Sequence, residues 1–364
     1  MGTLDSFFKR VGEVVRASVR EVMPLDLDRA HALKLIAAPG REYYLDGVDL
    51  PQLAHSLIAP LRRITDRGGK AWRSYAVLAC CDAVGGDSRK FVKWLAFPEL
   101  VHSGSLIVDD VQDKSTVRRG GPAAHLEFGE AIALNSGTAA YFLGEQLLTR
   151  ALVSDSAKLK IYDYYFEALR AGHAGQAIDL DGLGKHVQAA LEGGRLEELE
   201  QRVLAIHRLK TAVPVGSLAR MGAVAGGGTP AQVDALGSYF DSIGLAFQII
   251  DDVLNLRGFM GDLKQKAEDL SQGKATLPVV KALRRLDPDA RADLWRVISS
   301  RPSDPTVLLD LVNRIEGCGA LDECVSQATG MVEDAWRRLD PLIDESLSKV
   351  MIRAFGWHLL ERHY

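Results

Sequence analysis

Cysteine is scarce in this chain: 364 residues hold four, at positions 80, 81, 318 and 324. Neither pair has the spacing of a zinc site and adjacent cysteines rarely bridge, so the four read as reduced thiols of a reducing compartment, with the cytoplasm expected. Long apolar runs are missing as well. Nothing approaches the roughly 18 consecutive apolar residues of a membrane span. Residues 1–23 mix Phe7, Phe8, Val14 and Val15 with Asp5, Lys9, Arg10, Arg16 and Arg20. That mixture excludes a secretory signal and suits an amphipathic surface helix. Strong charge is also lacking: the net charge of −4 offers no electrostatic case for nucleic acid. No Pro/Gly/Ser-rich linker divides the chain, which predicts one helical domain over 53–364 behind an N-terminal extension, 1–52. Strand signals are few. Apolar residues, mostly Ala and Leu, recur at helical spacing, so the fold class expected is all-α. The glycine-rich stretch Ala223 to Thr229 follows no strand, which excludes a dinucleotide loop.

What is present is carboxylate at the ends of two apolar runs. Leu106 to Asp113 closes on Asp109, Asp110 and Asp113. On a helix Asp109 and Asp113 stack one turn apart, roughly 6 Å along the axis. Two such carboxylates repel, and a hard divalent cation would relieve them. Mg²⁺ takes one or two protein carboxylates and fills its remaining positions with water and phosphate oxygens. A solvated helix end is the plain alternative for one such motif. Phe247 to Asn255 repeats the design, with Gln248, Asp251, Asp252 and, at the fourth position, Asn255. Cations trail both copies: Arg118 and Arg119 after the first, Lys264, Lys266 and Lys274 after the second. Two acidic helix ends trailed by cations suggest a cavity where metal ions bridge protein and polyphosphate.

These motifs resemble those of the trans-isoprenyl (polyprenyl) diphosphate synthase family, in particular its geranylgeranyl diphosphate synthases. The likeness runs from about Gly68 to Leu283. The aspartate motif with its Arg118-Arg119-Gly120 tail and the Gln248-x-x-Asp-Asp motif followed by Gly273-Lys274-Ala275-Thr276-Leu277-Pro278 are specific together. The resemblance implies an isoprenoid synthase-type helical bundle around a central cavity, and a homodimer. It implies an Mg²⁺-dependent prenyltransferase, with three ions, that condenses isopentenyl diphosphate with an allylic diphosphate to a product of geranylgeranyl length or longer.

Residue roles follow from the same likeness. Asp109, Asp110, Asp113, Asp251, Asp252 and Asp269 would hold the metal. Lys70, Arg73, His102 and Arg119 would bind isopentenyl diphosphate. Arg118, Lys210, Lys264 and Lys274 would bind the allylic diphosphate. Lys210, Thr211 and Gln248 would face the reacting carbons, and Gly175, Gln176 and Asp179 match a motif flanking the cavity. Gly104 and Ser105, five and four residues before Asp109, are small where bulk would block a growing chain. Tyr141 and Phe142 are candidates for the floor of that tunnel. Each has a bland alternative: His102 as a histidine satisfied within helix packing, Arg118 and Arg119 as salt bridges to the aspartates, Gly104 and Ser105 as permits for close helix packing. Four departures stand out: Ala71 and Ser74 where the family often has Arg and Pro, Thr138 where it has Asp, and Asn255 where many relatives have Asp.

Rivals come from other classes. A class I terpene cyclase on the same fold would need no isopentenyl site, against which Lys70, Arg73, His102 and Arg119 speak. A non-catalytic partner subunit would have lost its aspartates. A ferritin-type bundle would need a Glu-x-x-His motif on each of two facing helices, and the two motif helices do not supply such a pair.

Helices are predicted over 4–23, 54–66, 88–113 with a break at Pro98, 129–150, 157–182, 195–208 and 230–256. Loose connections are expected over 24–52 and 182–194. Lys70 and Arg73 are expected to share a face of a helix start, and Lys210-Thr211 to open a helix.

Overall fold

The computed structural model describes residues 2–38, 40–69, 71–149, 153–258 and 267–361. Nearly every element is a helix. Among the described residues the only β structure is a two-residue antiparallel ladder, Val117–Arg118 against Gly121–Pro122. The chain forms two compact units, Met1–Tyr164 with Leu218–Thr229, and Tyr165–Ser217 with Pro230–Tyr364.

In the first unit the N-terminal residues are part of the core. Helix Gly2–Val22 turns Val15 and Val19 inward, and with Met23, Leu27, Ala32 and Leu45 they join Leu95, Ala96 and Leu100 in one buried cluster. Phe7 and Phe8 each meet the Tyr75 ring edge-on at 5.4 Å. Buried Arg62 donates to the Met23 carbonyl at 2.7 Å. The span 24–52, expected to be loose, contains helix Arg29–Ile36, capped by the Asp28 side chain, and a 3₁₀ turn, Glu42–Leu45. Pro24 and Pro51 delimit helices instead of dissolving them. Pro51 stands in the first turn of the next helix, where its missing N–H costs nothing.

The helix carrying the first aspartates restarts as Pro98 predicts. A 3₁₀ segment, Ser88–Leu95, leads into helix Ala96–Gln112, and Pro98 falls in its first turn. Asp113 caps the end, its N–H donating to the Asp109 carbonyl at 2.8 Å, so the two carboxylates stand one turn apart. This helix crosses helix Glu130–Leu143 at two glycines. A Cβ on Gly104 would lie 2.5 Å from the Gly137 carbonyl oxygen and 2.6 Å from the Ala140 Cβ, and one on Gly137 would lie 3.0 Å from the Gly104 carbonyl oxygen. The two backbones touch, which fixes the height of Asp109 and Asp110.

The second unit is built on the 28-residue helix Pro230–Arg257, which packs against Ala320–Leu339 and Leu347–Leu360. Phe240 stacks on Phe355, and Tyr239 meets Trp336 edge-on. Helix Gly184–Gly193 occupies the expected connection, burying Val187 and Ala190 and ending at left-handed Gly194. Helix Leu196–His207 runs into a π turn, Arg208–Ala212, and on into Val213–Ala225. Lys210 and Thr211 therefore lie in a π turn within a continuous helix and do not open one. Buried Lys281, on helix Leu277–Arg285, donates to Glu200 at 3.0 Å and Glu323 at 2.8 Å. This internal ion network has no sequence signature.

Gly104→Ala forces the helix crossing apart and should destabilise the protein by about 1–3 kcal/mol, the usual cost of overpacking. A thermal midpoint lowered by several degrees is the expected reading, whereas Ser105→Ala, at an exposed position, should leave the midpoint in place.

Candidate active site

In the first unit the motif helix presents Glu99, His102, Asp109 and Asp110 along one side, and the hairpin after it presents Arg118 and Arg119. Asp110 is fully buried. Its Oδ1 accepts from Arg118 Nε at 2.8 Å and from Nη2 as well, while its Oδ2 is buried without a hydrogen-bond partner. Burial raises the Asp110 carboxyl above the ordinary carboxylate range despite Arg118. Arg119 donates to buried Glu99 at 2.7 Å and to the Ile64 carbonyl at 3.2 Å. Glu99 also accepts from Ser103 at 3.0 Å. The salt-bridge alternative is met by Arg118, on a motif aspartate, whereas Arg119 pairs with a glutamate that sequence reasoning passed over. Glu99 shares a helix face with His102, and that spacing was its one available signal.

Arg73 Nη1 lies 3.4 Å from His102 Nε2 and stacks over the Trp72 ring at 4.6 Å. Burial, followed by the charges of Arg73, Arg119 and Arg118, drives His102 well below its usual range and keeps it neutral. A histidine repelled by three guanidiniums marks a strongly cationic corner. Helix Trp72–Ala83 begins only after Ala71, which is left-handed at φ 51°. Lys70, ahead of that start, lies outside the described residues, and with it the helical face expected for Lys70 and Arg73.

The chain-length candidates divide. Gly104 is closed by the Gly137 backbone, so it is a packing position, as its bland alternative had it. Ser105 is exposed, its Oγ donating to the His102 carbonyl at 2.8 Å. Tyr141 is buried, and burial with the Asp109 charge pushes its phenol up to about 12. Phe142 is 64% exposed in the single chain.

In the second unit Lys210 Nζ donates to Asp179 Oδ2 at 2.7 Å. A Cβ on Gly175 would lie 2.5 Å from the Lys210 backbone nitrogen, so this glycine lets its helix touch the π turn. Such turns relocate side chains by one residue and gather at functional sites. Thr211 Oγ1 donates to Gln248 Oε1 at 3.3 Å. Asp252 is buried, accepts from the Leu277 N–H at 3.2 Å and lies 3.5 Å from His207 Nε2. Burial and the charges of Asp269 and Asp251 raise its carboxyl well above the ordinary range, while burial lowers His207 to about 4. The contact therefore joins two groups driven toward neutrality. His207, missed in the sequence, stands one turn before Lys210. Asn255 Oδ1 accepts from the Asp269 N–H at 3.3 Å, and its carbonyl accepts from Ala267 at 2.8 Å. Lys274 Nζ is 3.8 Å from Asp269 Oδ1. Lys264, like Lys266, lies outside the described residues.

The donors fit a hard divalent cation. All are carboxylate oxygens, one buried oxygen of Asp110 has no hydrogen-bond partner, and Asp252 is crowded by like charge that a cation would offset. Among the described residues no three His, Cys, Asp or Glu side chains form a complete ligand cluster by themselves.

The arrangement is that of the all-α isoprenoid synthase fold. A family model for polyprenyl synthetase matches residues 54–315. A short chain isoprenyl diphosphate synthase from Methanothermobacter thermautotrophicus is 32% identical over 314 residues, 85% of this chain and 91% of that protein. Among solved structures, the geranylgeranyl pyrophosphate synthase of Corynebacterium glutamicum, complexed with isoprenyl diphosphate and magnesium, is 25% identical with a TM-score of 0.77 over 97% of this chain and 99% of its own. A Caulobacter crescentus polyprenyl synthase, complexed with calcium and isoprenyl diphosphate, is 26% identical with a TM-score of 0.74 over 98% and 97%. The chain belongs to the polyprenyl synthetase family, the prenyltransferases that condense isopentenyl diphosphate with an allylic diphosphate.

Asn255 uses its side-chain oxygen as an acceptor, which Asp also supplies. Asn255→Asp should keep prenyl transfer within about threefold, whereas Asn255→Ala, losing a bond of about 1 kcal/mol, should lower kcat about fivefold or more in steady-state assays.

Proposed function

We propose that this enzyme extends an allylic diphosphate to geranylgeranyl diphosphate, using magnesium held by Asp109, Asp110 and Asp113 in one unit and by Asp251, Asp252 and Asp269 in the other. The observation that carries the reading is Asp110: a buried carboxylate with one oxygen on Arg118 and the other without a hydrogen-bond partner. Three ions would offset the roughly six carboxylate charges. Bound magnesium would supply Lewis-acid stabilisation of charge on the departing diphosphate.

The protein's own groups do the rest. Arg118, Lys210, Lys264 and Lys274 hold the allylic diphosphate and receive negative charge as the C–O bond breaks. Arg73, Arg119, Lys70 and neutral His102 hold the isopentenyl diphosphate. Arg73 and Arg119 serve as charged donors, and His102 as a polar contact that adds no charge. Thr211 and Gln248 place oxygen near the allylic cation. The isopentenyl double bond attacks that cation, and the proton lost afterwards goes to the released diphosphate. No nucleophilic side chain takes part, in keeping with the burial of Cys80, Cys81 and Cys324, which raises all three thiols, Cys81 to about 12.

The cationic corner of Arg73, Arg119 and His102 favours condensation over cyclisation, because a cyclase has no second diphosphate to bind. Small Ser105 near the acidic helix end supports a product longer than farnesyl. The work is assigned to a cytoplasmic homodimer. Free thiols at 80, 81, 318 and 324 support a reducing compartment, and among the described residues no helix is long and apolar enough to cross a membrane.

Offered dimethylallyl, geranyl or farnesyl diphosphate with labelled isopentenyl diphosphate, the enzyme should yield geranylgeranyl diphosphate as the dominant product. A cyclic hydrocarbon made from one allylic substrate alone would contradict the assignment. Chelation should stop turnover and Mg²⁺ restore it. Asp109→Ala and Asp251→Ala should each lower kcat about a thousandfold, for several kcal/mol of lost charge stabilisation, with the thermal midpoint little changed.

A further inference from the structure

The hairpin carrying Arg118 and Arg119 is too small to hold its own shape. Its register, Val117 opposite Pro122 and Arg118 opposite Gly121, leaves a two-residue turn of Arg119 and Gly120, with φ of 51° and 71°. Such a pair of left-handed residues makes a type I′ turn. Glycine takes the second place without strain, but an arginine in the first costs on the order of 1 kcal/mol. An isolated two-stranded hairpin is marginal in water at best.

One side chain from another element grips both of its strands. Arg67 follows helix Ala59–Asp66 directly. Its Nη1 donates to the Arg118 carbonyl at 3.0 Å and to the Pro122 carbonyl at 2.6 Å, one on either side of the turn. Its Nη2 donates to Glu127 Oε1 at 2.9 Å, and Arg63 Nε holds the other Glu127 oxygen at 2.7 Å. A Cβ on Gly121 would stand 2.6 Å from Arg67 Cζ and 2.8 Å from its Nε. The guanidinium thus lies directly against the Gly121 backbone, in space that only glycine leaves. A lysine could not reproduce the grip, since its head is a point donor and not a planar fork.

We propose that Arg67 is a positioning residue: it clamps the backbone of residues 117–122, holds Arg118 and Arg119 in their binding attitudes before substrate arrives, and thereby sets the affinity for isopentenyl diphosphate. Glu127 aims Arg67, and Gly121 is its seat. The proposal rests on the assignment of Arg118 and Arg119 to diphosphate binding.

The test compares Arg67→Ala, Arg67→Lys and Gly121→Ala with Arg118→Ala and Arg119→Ala in the full-length enzyme. It reads KM for both substrates, kcat, the thermal midpoint and hydrogen exchange of the amides of residues 117–123. Arg67→Ala and Gly121→Ala should each raise KM for isopentenyl diphosphate about tenfold, with kcat within about threefold, because a loosened group binds without its prior alignment. Exchange across 117–123 should quicken about tenfold while the midpoint moves little, and Arg67→Lys should fall between wild type and Arg67→Ala. Unchanged KM and unchanged exchange in Arg67→Ala would overturn the clamp. If Arg67→Ala unfolds, Gly121→Ala and Arg67→Lys decide by the same two readings. If Arg118→Ala and Arg119→Ala leave both KM values unchanged, the diphosphate assignment fails instead, and faster exchange in Arg67→Ala would still establish the mechanical role.

Discussion

Four cations given to diphosphate binding already face a carboxylate: Arg118 with Asp110, Arg119 with Glu99, Lys210 with Asp179, Lys274 with Asp269. Without a counter-charge a half-buried guanidinium or ammonium is costly to keep out of water. With one, it is held at a fixed place and angle. A diphosphate of higher charge can then share or replace the carboxylate without first gathering scattered side chains. The ion pair that the plain reading of the sequence offered for Arg118 is thus compatible with the diphosphate role proposed for it.

The pairing also explains which groups stay neutral. Burial, with three guanidiniums nearby, holds His102 well below its usual range. Asp252 sits among carboxylates and in the dry interior, and its carboxyl is pushed toward the protonated form. His207 beside it is likewise held uncharged. Charge in this chain is rationed by burial and by neighbours as much as by residue type.

The sequence showed the large features because they follow from period and spacing. Helix Pro230–Arg257 and the Asp109/Asp113 turn follow from helical repeat alone, and Pro98 correctly announced a restart. The misses are places where tertiary contact overrides local signal. Residues 24–52 looked irregular, yet Leu27, Ala32 and Leu45 are drawn into a core shared with the motif helix. Lys210 looked like a helix start, but the close approach of Gly175 accompanies a π turn that sequence does not encode. Glu99, Arg67 and the Lys281 network are ordinary charged residues in one dimension. Their roles come from partners 20 or more positions away. The face expected for Lys70 and Arg73 lies outside the described residues; what stands beside it is a left-handed Ala71 ahead of a helix that starts at Trp72.

The glycine crossing of the motif helix bears on how such an enzyme could drift over generations. Where a growing chain runs past these aspartates, bulk at the fifth residue before them would be the simplest way to shorten it. Here that step would wedge two touching backbones apart, so the path is shut unless Gly137 and Ala140 give way first. Changes in product size are therefore open to Ser105 and to the ring positions of the neighbouring helix, and shut at Gly104 by the backbone it touches.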